Sequence, residues 1–464
     1  SNYYGIRGRD FEEVDTRLLG ATLNHRVSDA FAIRSQTRWG NNDNESVIGR
    51  PLLTNTYSGP DAGRGGPTNY ATAQVDLSRL QVNKQENELF ITALDGIFTL
   101  DSGDIEQDLV IGVEYFQESQ DRPVLSSDFT YVDANGNPIE GNPTVDLFNP
   151  SQSLGFVGGV TSGDEVNSVE GENLALYVFD TIKLGGHWQL DINGRYDRYE
   201  MTGAQFVGGG RGNPGTYTPG LKLESDFFSW GGALSYRFSD NGSIYASYSD
   251  ANEPPGTNLS FSGGAEDNVD PETSESYEIG GKWQTADQRL LLSAAYFVTV
   301  RSVLDDDENG NPFIGGEQEA TGFELSAVGA LTDNLSLTAS YTQLDAEITQ
   351  SSDVDDIGNG LSAAPDSTAS LWGTYQALDN RLTLGLGANY SSGDTYWRRN
   401  MPYFETGSYT EVQAMAAYQV TDGMRLQLNV DNLTDEVYVA DYSAWGHFLP
   451  NDPRTIKLSV NYNF

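Results

Sequence analysis

The chain closes on Ile456-Lys457-Leu458-Ser459-Val460-Asn461-Tyr462-Asn463-Phe464. Ile456, Leu458, Val460, Tyr462 and Phe464 fall on one side of this stretch, and Lys457, Ser459, Asn461 and Asn463 on the other. Strict alternation marks a β-strand with one apolar and one wet face, because successive side chains of a strand point in opposite directions. A soluble sandwich and a membrane wall both use such strands. What separates them is whether the pattern recurs and how the recurrences are joined.

The pattern recurs about seventeen times along the chain. Early examples are Arg17 to Val27 and Phe31 to Gly40, where Phe31, Ile33, Thr37 and Trp39 oppose Arg34, Gln36 and Arg38. Late examples are Leu382 to Tyr396, Leu426 to Tyr438 and Arg454 to Phe464. The links alternate in length. Gly185-Gly186, Ser239 to Asn241 and Asp379-Asn380 are short, whereas residues 41–69, 119–167, 251–271 and 441–451 make long connections. Short turns at one end and long loops at the other are the layout of an outer-membrane barrel. Its apolar positions face lipid, since only a closed sheet pairs every backbone group inside a bilayer. No segment of helical period intervenes, which argues against an α/β fold. The predicted fold is all-β, a transmembrane antiparallel β-barrel.

Composition agrees. No run of about 18 apolar residues occurs, which excludes a spanning helix but not barrel strands, whose hydropathy signal is weak. A net charge of −41 and no basic stripe exclude nucleic acid as a partner. Disorder, the usual reading of an acidic chain, conflicts with 11% aromatic residues. The acids gather in loop-like segments such as Asp305 to Glu308 and Asp353 to Asp356. Absence of Cys removes disulfides and thiolate metal sites. Three histidines, His25, His187 and His447, do not suit a paired haem-ligand arrangement.

Four short motifs then occur in order. They are PETSESYEIGGKW from Pro271, GEQEATGFELSA from Gly316, VDNLTDEVYV from Val430, and the closing DPRTIKLSVNYNF. This series resembles the C-terminal half of TonB-dependent outer-membrane receptors, most nearly the ferric-siderophore group. The matching positions are Pro271, Glu272, Glu278, Gly280, Lys282, Gly322, Glu324, Leu325, Asn432, Leu433, Asp435, Arg454 and Phe464. A small departure is Asn451-Asp452 before Pro453-Arg454, where the family often has Gly. The resemblance implies a barrel of about 22 strands closed by an N-terminal plug that engages TonB. It also implies a C-terminal aromatic, Phe464, read by the barrel-insertion machinery. No plug-like domain precedes the first strand candidate, and single-chain bacterial barrels have even strand numbers. We therefore expect residues 1–464 to be a partial barrel, with the plug and about five strands upstream of Ser1.

Candidate ligand contacts follow from position. Tyr396-Trp397-Arg398-Arg399 with Tyr403-Phe404 lies on the long-loop side, where guanidinium groups beside aromatic rings suit an anionic, aromatic ferric catecholate. The competing reading is a loop anchor packed on its neighbours. Trp445 and His447 also fall in a long loop, and Arg34 and Arg38 on the wet face offer a basic path or salt bridges to a plug. Asp305, Asp307 and Asn309 resemble the opening of a calcium loop, but position twelve is Gly316 and Asp133-Ala-Asn-Gly-Asn-Pro repeats the same turn chemistry. A hairpin tip explains both, so no metal is assigned. No catalytic triad or phosphate loop is present, and no resident cofactor is expected. The resemblance implies a non-enzymatic importer of a ferric siderophore. Its rivals are a receptor for cobalamin or an oligosaccharide, a passive porin, and a soluble all-β binding protein.

Overall fold

The computed structural model describes residues 5–50, 52–53, 74–150, 153–207, 216–257, 259, 261, 269–285, 287–306, 312–397, 402–442 and 448–463. Among them there are strands, turns and bends but no helix. One sheet of seventeen strands dominates. In chain order these are β1 (Phe11–Ser28), β2 (Phe31–Gly49), β3 (Leu80–Ser102), β4 (Ile105–Ser127), β5 (Val160–Leu184), β6 (Trp188–Val207), β7 (Thr216–Ser239), β8 (Gly242–Glu253) and β9 (Glu272–Gln284). Then follow β10 (Leu290–Asp306), β11 (Pro312–Ala330), β12 (Leu335–Gln350), β13 (Ser367–Ala377), β14 (Leu382–Ser391), β15 (Tyr409–Thr421), β16 (Met424–Asp431) and β17 (Thr455–Tyr462). Each pairs antiparallel with the next, a pure meander.

Register carries the apolar face from strand to strand. Leu458 opposes Leu428, which opposes Ala416, then Leu384, then Tyr375, then Leu335. A slip of one residue anywhere would turn this row over, so the alternation fixes the pairing. The apolar face is the exposed one: Leu458, Leu386, Ile279, Leu176 and Ile111 are all at least half accessible. An exposed apolar belt over a polar opposite face is the arrangement of a membrane barrel wall, with the polar side as lumen.

The sheet does not close on itself: β1 and β17 each have one unpaired edge among the described residues, and both strands are exposed along nearly all of their described length. Several strands end elsewhere than the alternation suggests. β1 begins at Phe11, before Arg17. The Leu382 to Tyr396 segment stops at Ser391, where Gly393 turns the chain at φ +84°. The Leu426 to Tyr438 segment stops at Asp431, where Asn432 and Asp435 take φ of +49° and +57°. Alternating residues continue past both points, but a left-handed residue ends a strand.

On the long-link side the strands run on. β3, β4 and β5 have 23, 23 and 25 residues, against about 9–11 needed to cross a bilayer. Their extensions carry small loop sheets, one of Leu52–Leu53, Gln74–Asp76 and Thr144–Asp146 and another of Thr130–Val132 with Gly155–Val157. Ile6, Val75, Leu77 and Val145 form a buried apolar cluster there. Arg9 is buried beside it and donates to the Leu77 carbonyl at 2.8 Å and to the Tyr131 hydroxyl at 3.1 Å.

Candidate functional site

The long-link end of the sheet gathers side chains from three separate connections. In the link from β14 to β15, Thr395–Trp397 pairs with Pro402–Glu405 as a small hairpin. Tyr396 stacks on Phe404 across it, centroids 5.2 Å apart and rings 14° from parallel. Tyr442, from the link between β16 and β17, meets the Phe404 ring edge-on at 4.7 Å and donates its hydroxyl to the Asp394 carboxylate. The same carboxylate accepts the Ala363 N–H at 2.6 Å, from the link between β12 and β13. Asp394 is thus the knot of three loops, and the aromatic cluster is fixed above it. Such clusters add about 0.5–1.5 kcal/mol per ring pair beyond the area they cover.

Below the cluster, Tyr409 and Tyr438 stack at 3.7 Å and 3°, and the Tyr438 hydroxyl donates to Glu411 Oε2 at 2.8 Å. Burial, and then the Glu411 carboxylate, push the Tyr438 hydroxyl well above the usual phenol range. Burial and Asp394 move Tyr442 the same way. A raised folded-state value for an acid means that the contribution to stability is complete below the unfolded value and is lost as pH rises through the folded one. The loop base should therefore hold unchanged through neutral pH and weaken only above about pH 10. Ultraviolet titration of tyrosinate alongside thermal unfolding checks this, and Tyr438→Phe should abolish the part due to that residue.

The sequence candidates divide as follows. Tyr396 and Phe404 come together across the hairpin. Trp397 and Tyr403 lie in the two hairpin strands, but their side chains fall outside the described part of the structure. Arg398, Arg399, Trp445, His447, Phe464, Asp307 and Asn309 lie outside the described residues. Asp305 accepts the Ser352 N–H at 2.6 Å and pairs with the Ser352 hydroxyl at 2.7 Å, a loop-to-loop clamp. Asp133 accepts the Asn135 and Asn137 N–H groups at 2.8 and 2.9 Å, so turn chemistry accounts for that segment.

On the polar face Arg34 does not extend a free basic path. Its Nε donates to Asp95 at 2.8 Å, and Asp95, 1% exposed, also accepts the Tyr177 hydroxyl at 2.5 Å. The bridge joins β2, β3 and β5 within the wall. Arg195 does likewise with Glu114 at 2.9 Å and Asp197 at 2.8 Å. Arg38 occupies the same face between Gly20 and Ile91 and is exposed. The alternation places Asp95, Tyr177 and Arg195 on the wet side, yet their partnership joins strands far apart in sequence and has no local signature. Asp394 and Tyr442 escape a reading of the sequence for the same reason.

The motif residues turn out to be joints. Glu272, just after Pro271, accepts Arg301 Nη2 at 2.6 Å and the Leu304 N–H at 2.8 Å, clamping β9 to β10. Glu278 accepts the Tyr245 hydroxyl at 2.5 Å, and Lys282 sits 5.5 Å from the centre of the same ring. Gly280 is the floor under that ring, since a Cβ there would lie 2.5 Å from Tyr245. Gly280→Ala should displace Tyr245 and cost about 1–3 kcal/mol, read as a lower denaturation midpoint, with the Gly280→Ala/Tyr245→Ala pair recovering part of it. At Gly322, next to Glu324 and Leu325 of β11, a Cβ would meet the neighbouring strand's Gln343 carbonyl oxygen first and then the Phe297 ring at 2.8 Å. Asn432, 2% exposed, donates to the Glu436 and Asp452 carbonyls at 2.8 and 3.1 Å and accepts the Glu436 N–H at 2.8 Å. Leu433 N–H reaches the Val412 carbonyl, and Arg454 donates to the Leu433 carbonyl and, through its backbone, to Asp435 at 2.9 Å. The last long link is stitched shut at its base.

This wall, with its outward apolar face, polar lumen face and long loops at one end, is that of an outer-membrane β-barrel. Residues 1–433 match the family described as TonB dependent receptor-like, beta-barrel, and the chain belongs to it. It is similar to the probable TonB-dependent siderophore receptor PiuA of Acinetobacter baumannii, with 28% identity over 100% of this chain and 62% of the relative. The catecholate siderophore receptor Fiu of Escherichia coli K12 is also 28% identical, over 100% of this chain and 61% of its own length. Among solved structures, the ferric-catecholate import receptor Fiu from E. coli K12 in its closed form superposes with a TM-score of 0.84 at 26% identity, covering 100% of this chain and 66% of that one. PiuA from A. baumannii gives 0.82 at 25%, covering 99% and 66%. The chain thus spans about three fifths of the length of the curated relatives it matches.

Proposed function

We propose that this chain forms most of the wall of an outer-membrane receptor that imports a ferric siderophore, with energy supplied through TonB. The observation that carries the reading is the aromatic cluster of Tyr396, Phe404 and Tyr442, held by loops from three connections at the end where a ligand arrives. Arg398 and Arg399 follow Tyr396 within three residues. Cationic groups beside rigid rings suit the charge and the flat aromatic donors of a ferric catecholate. The relatives named as catecholate siderophore receptors support the same class of ligand.

In this reading about five further strands join the free edges of β17 and β1 into a closed barrel of about 22, and a plug fills its lumen. TonB acts on the plug, Phe464 serves the insertion machinery, and the joints around Asp95, Glu278 and Asn432 keep the wall rigid while the plug moves. We assign no catalytic role and no resident cofactor, and iron enters as cargo. Uptake of a radioactive ferric catecholate by cells lacking their own catecholate receptors tests the proposal. The full-length protein should confer uptake that disappears without TonB and falls at least about tenfold in a Tyr396→Ala/Phe404→Ala variant. Uptake of cobalamin or an oligosaccharide instead, or entry that persists without TonB, would overturn it.

A further inference from the structure

β5 carries a carboxylate on the lipid side of the wall. From the short turn upward its outward positions are Leu184, Ile182, Asp180, Val178, Leu176 and Leu174, and the acids Glu172 and Glu170 follow above them. Asp180 is thus third in a row otherwise made of Leu, Ile and Val. The pairing is unbroken here, so the parity is secure: Leu184 opposes Trp188, Ile182 opposes Leu190 and Asp180 opposes Ile192. On the other flank Asp180 opposes Leu109 and Val178 opposes Ile111, and Leu109 in turn opposes Phe98. Trp188, packed on Tyr236 at 4.5 Å, stands in the aromatic girdle next to the short turns. Asp180 lies two outward positions deeper than that tryptophan, within the apolar band.

Its partner is neutral. Gln107, outward on β4 and opposite Ile182, directs Nε2 at both carboxylate oxygens, at 3.0 and 2.8 Å. Carboxylates on the lumen face of the same strands are met by cations instead, Asp95 by Arg34, and Glu114 and Asp197 by Arg195. A carboxylate has about four acceptor sites and an amide two N–H groups, so the pair on the lipid side is left underfilled. Water does not supply the missing bonds inside hydrocarbon, and an ionisable group held there calls for a partner. The site offers a donor and an acceptor side by side, which makes it complementary to itself. A two-fold axis along the membrane normal, passing between the two side chains, sets each Gln107 amide against the other copy's Asp180. A partner bringing only a cation satisfies Asp180 and leaves the amide facing lipid.

We propose that the lipid-facing side of β4, β5 and β6 is the contact between two copies of this protein in the outer membrane, joined by reciprocal Gln107–Asp180 hydrogen bonds within a rim of Leu109, Ile111, Val178 and Ile192. Hydrogen bonds between chains hold membrane segments together where apolar burial gives no net drive. The inference needs only a barrel wall standing in the membrane. It does not depend on the imported ligand.

Thiol cross-linking of the full-length receptor in native outer membranes tests it. Residues 1–464 contain no cysteine, so Leu109→Cys and Val178→Cys, the outward neighbours of Asp180, can be introduced singly and treated with a short bis-maleimide. A band at twice the receptor's mass should appear, and Leu386→Cys, outward on β14, should give none. Asp180→Leu with Gln107→Leu in the same background should lower the trapped fraction about tenfold. Asp180→Asn, which keeps the hydrogen bonding and drops the charge, should retain it. Heat-modifiable gel mobility reports folding, and Gln107→Leu alone replaces the double variant should the latter misfold. Absence of the doubled band, equal trapping in a folded apolar variant, or a band whose mass shows a different protein overturns the proposal. Siderophore uptake should survive the apolar pair, so failure here and failure of the receptor reading are separable.

Discussion

Asn432→Ala is expected to lower the unfolding free energy by about 2–4 kcal/mol and to open the last long link to protease. The side chain makes three hydrogen bonds while almost fully buried. Its loss strands the Glu436 N–H, whereas the Glu436 and Asp452 carbonyls keep the Asn451 amide at 3.0 Å as a second donor. That remaining donor is why the effect stays below the sum of three buried bonds. Alanine also fits poorly at φ +49°, so Asn432→Gly should recover the backbone part and leave the side-chain part missing. Asn432→Asp keeps the acceptor but sets a carboxylate against two carbonyl oxygens, and should be the worst of the three at neutral pH. Denaturant midpoints and the digestion rate of residues 432–454 measure both effects. A midpoint for Asn432→Ala equal to wild type would show that the loop base is held by something else.

The second large effect is functional. Removing both guanidinium groups in Arg398→Gln/Arg399→Gln should weaken binding of a ferric catecholate by about 100-fold, taking about 1.5 kcal/mol for each charge-assisted hydrogen bond removed. The variant should also lose most of the salt dependence of binding, because screening acts on charges it no longer has. Charge matters here because the rest of the chain is strongly acidic, with 67 Asp and Glu against 26 Lys and Arg. An anionic ligand needs local cations to approach at all. Fluorescence quenching of the full-length receptor at two salt concentrations gives both numbers. Affinity within twofold of wild type would move recognition elsewhere in the mouth.

These two residue sets show how differently the sequence exposes a joint and a ligand-binding group. Asn432, Leu433, Asp435 and Arg454 stand out as a motif in the sequence, but nothing in the spacing says that they tie the start of β17 to the end of β16. Their role is tertiary because Arg454 reaches back 19 residues to Asp435 and Asn432 reaches forward 20 to Asp452. Tyr396 and Phe404 are legible as exposed-loop aromatics. Their packing on Tyr442, and the sharing of Asp394 by loops that start at different strands, are not.

The sequence by itself determined the strands, their faces and the alternation of short and long links. Those properties are local: a period of two is set by the backbone of each strand, and an apolar face must be repeated wherever lipid is met. Only the tertiary structure decided where strands stop, which wet-face charges neutralise one another, and which loops meet. Arg34 finds Asp95 at a separation of 61 residues and Asp95 finds Tyr177 at 82. Pairings at such distances are selected by register and by the cost of leaving a buried charge unpaired, and neither is written in the neighbourhood of any single residue.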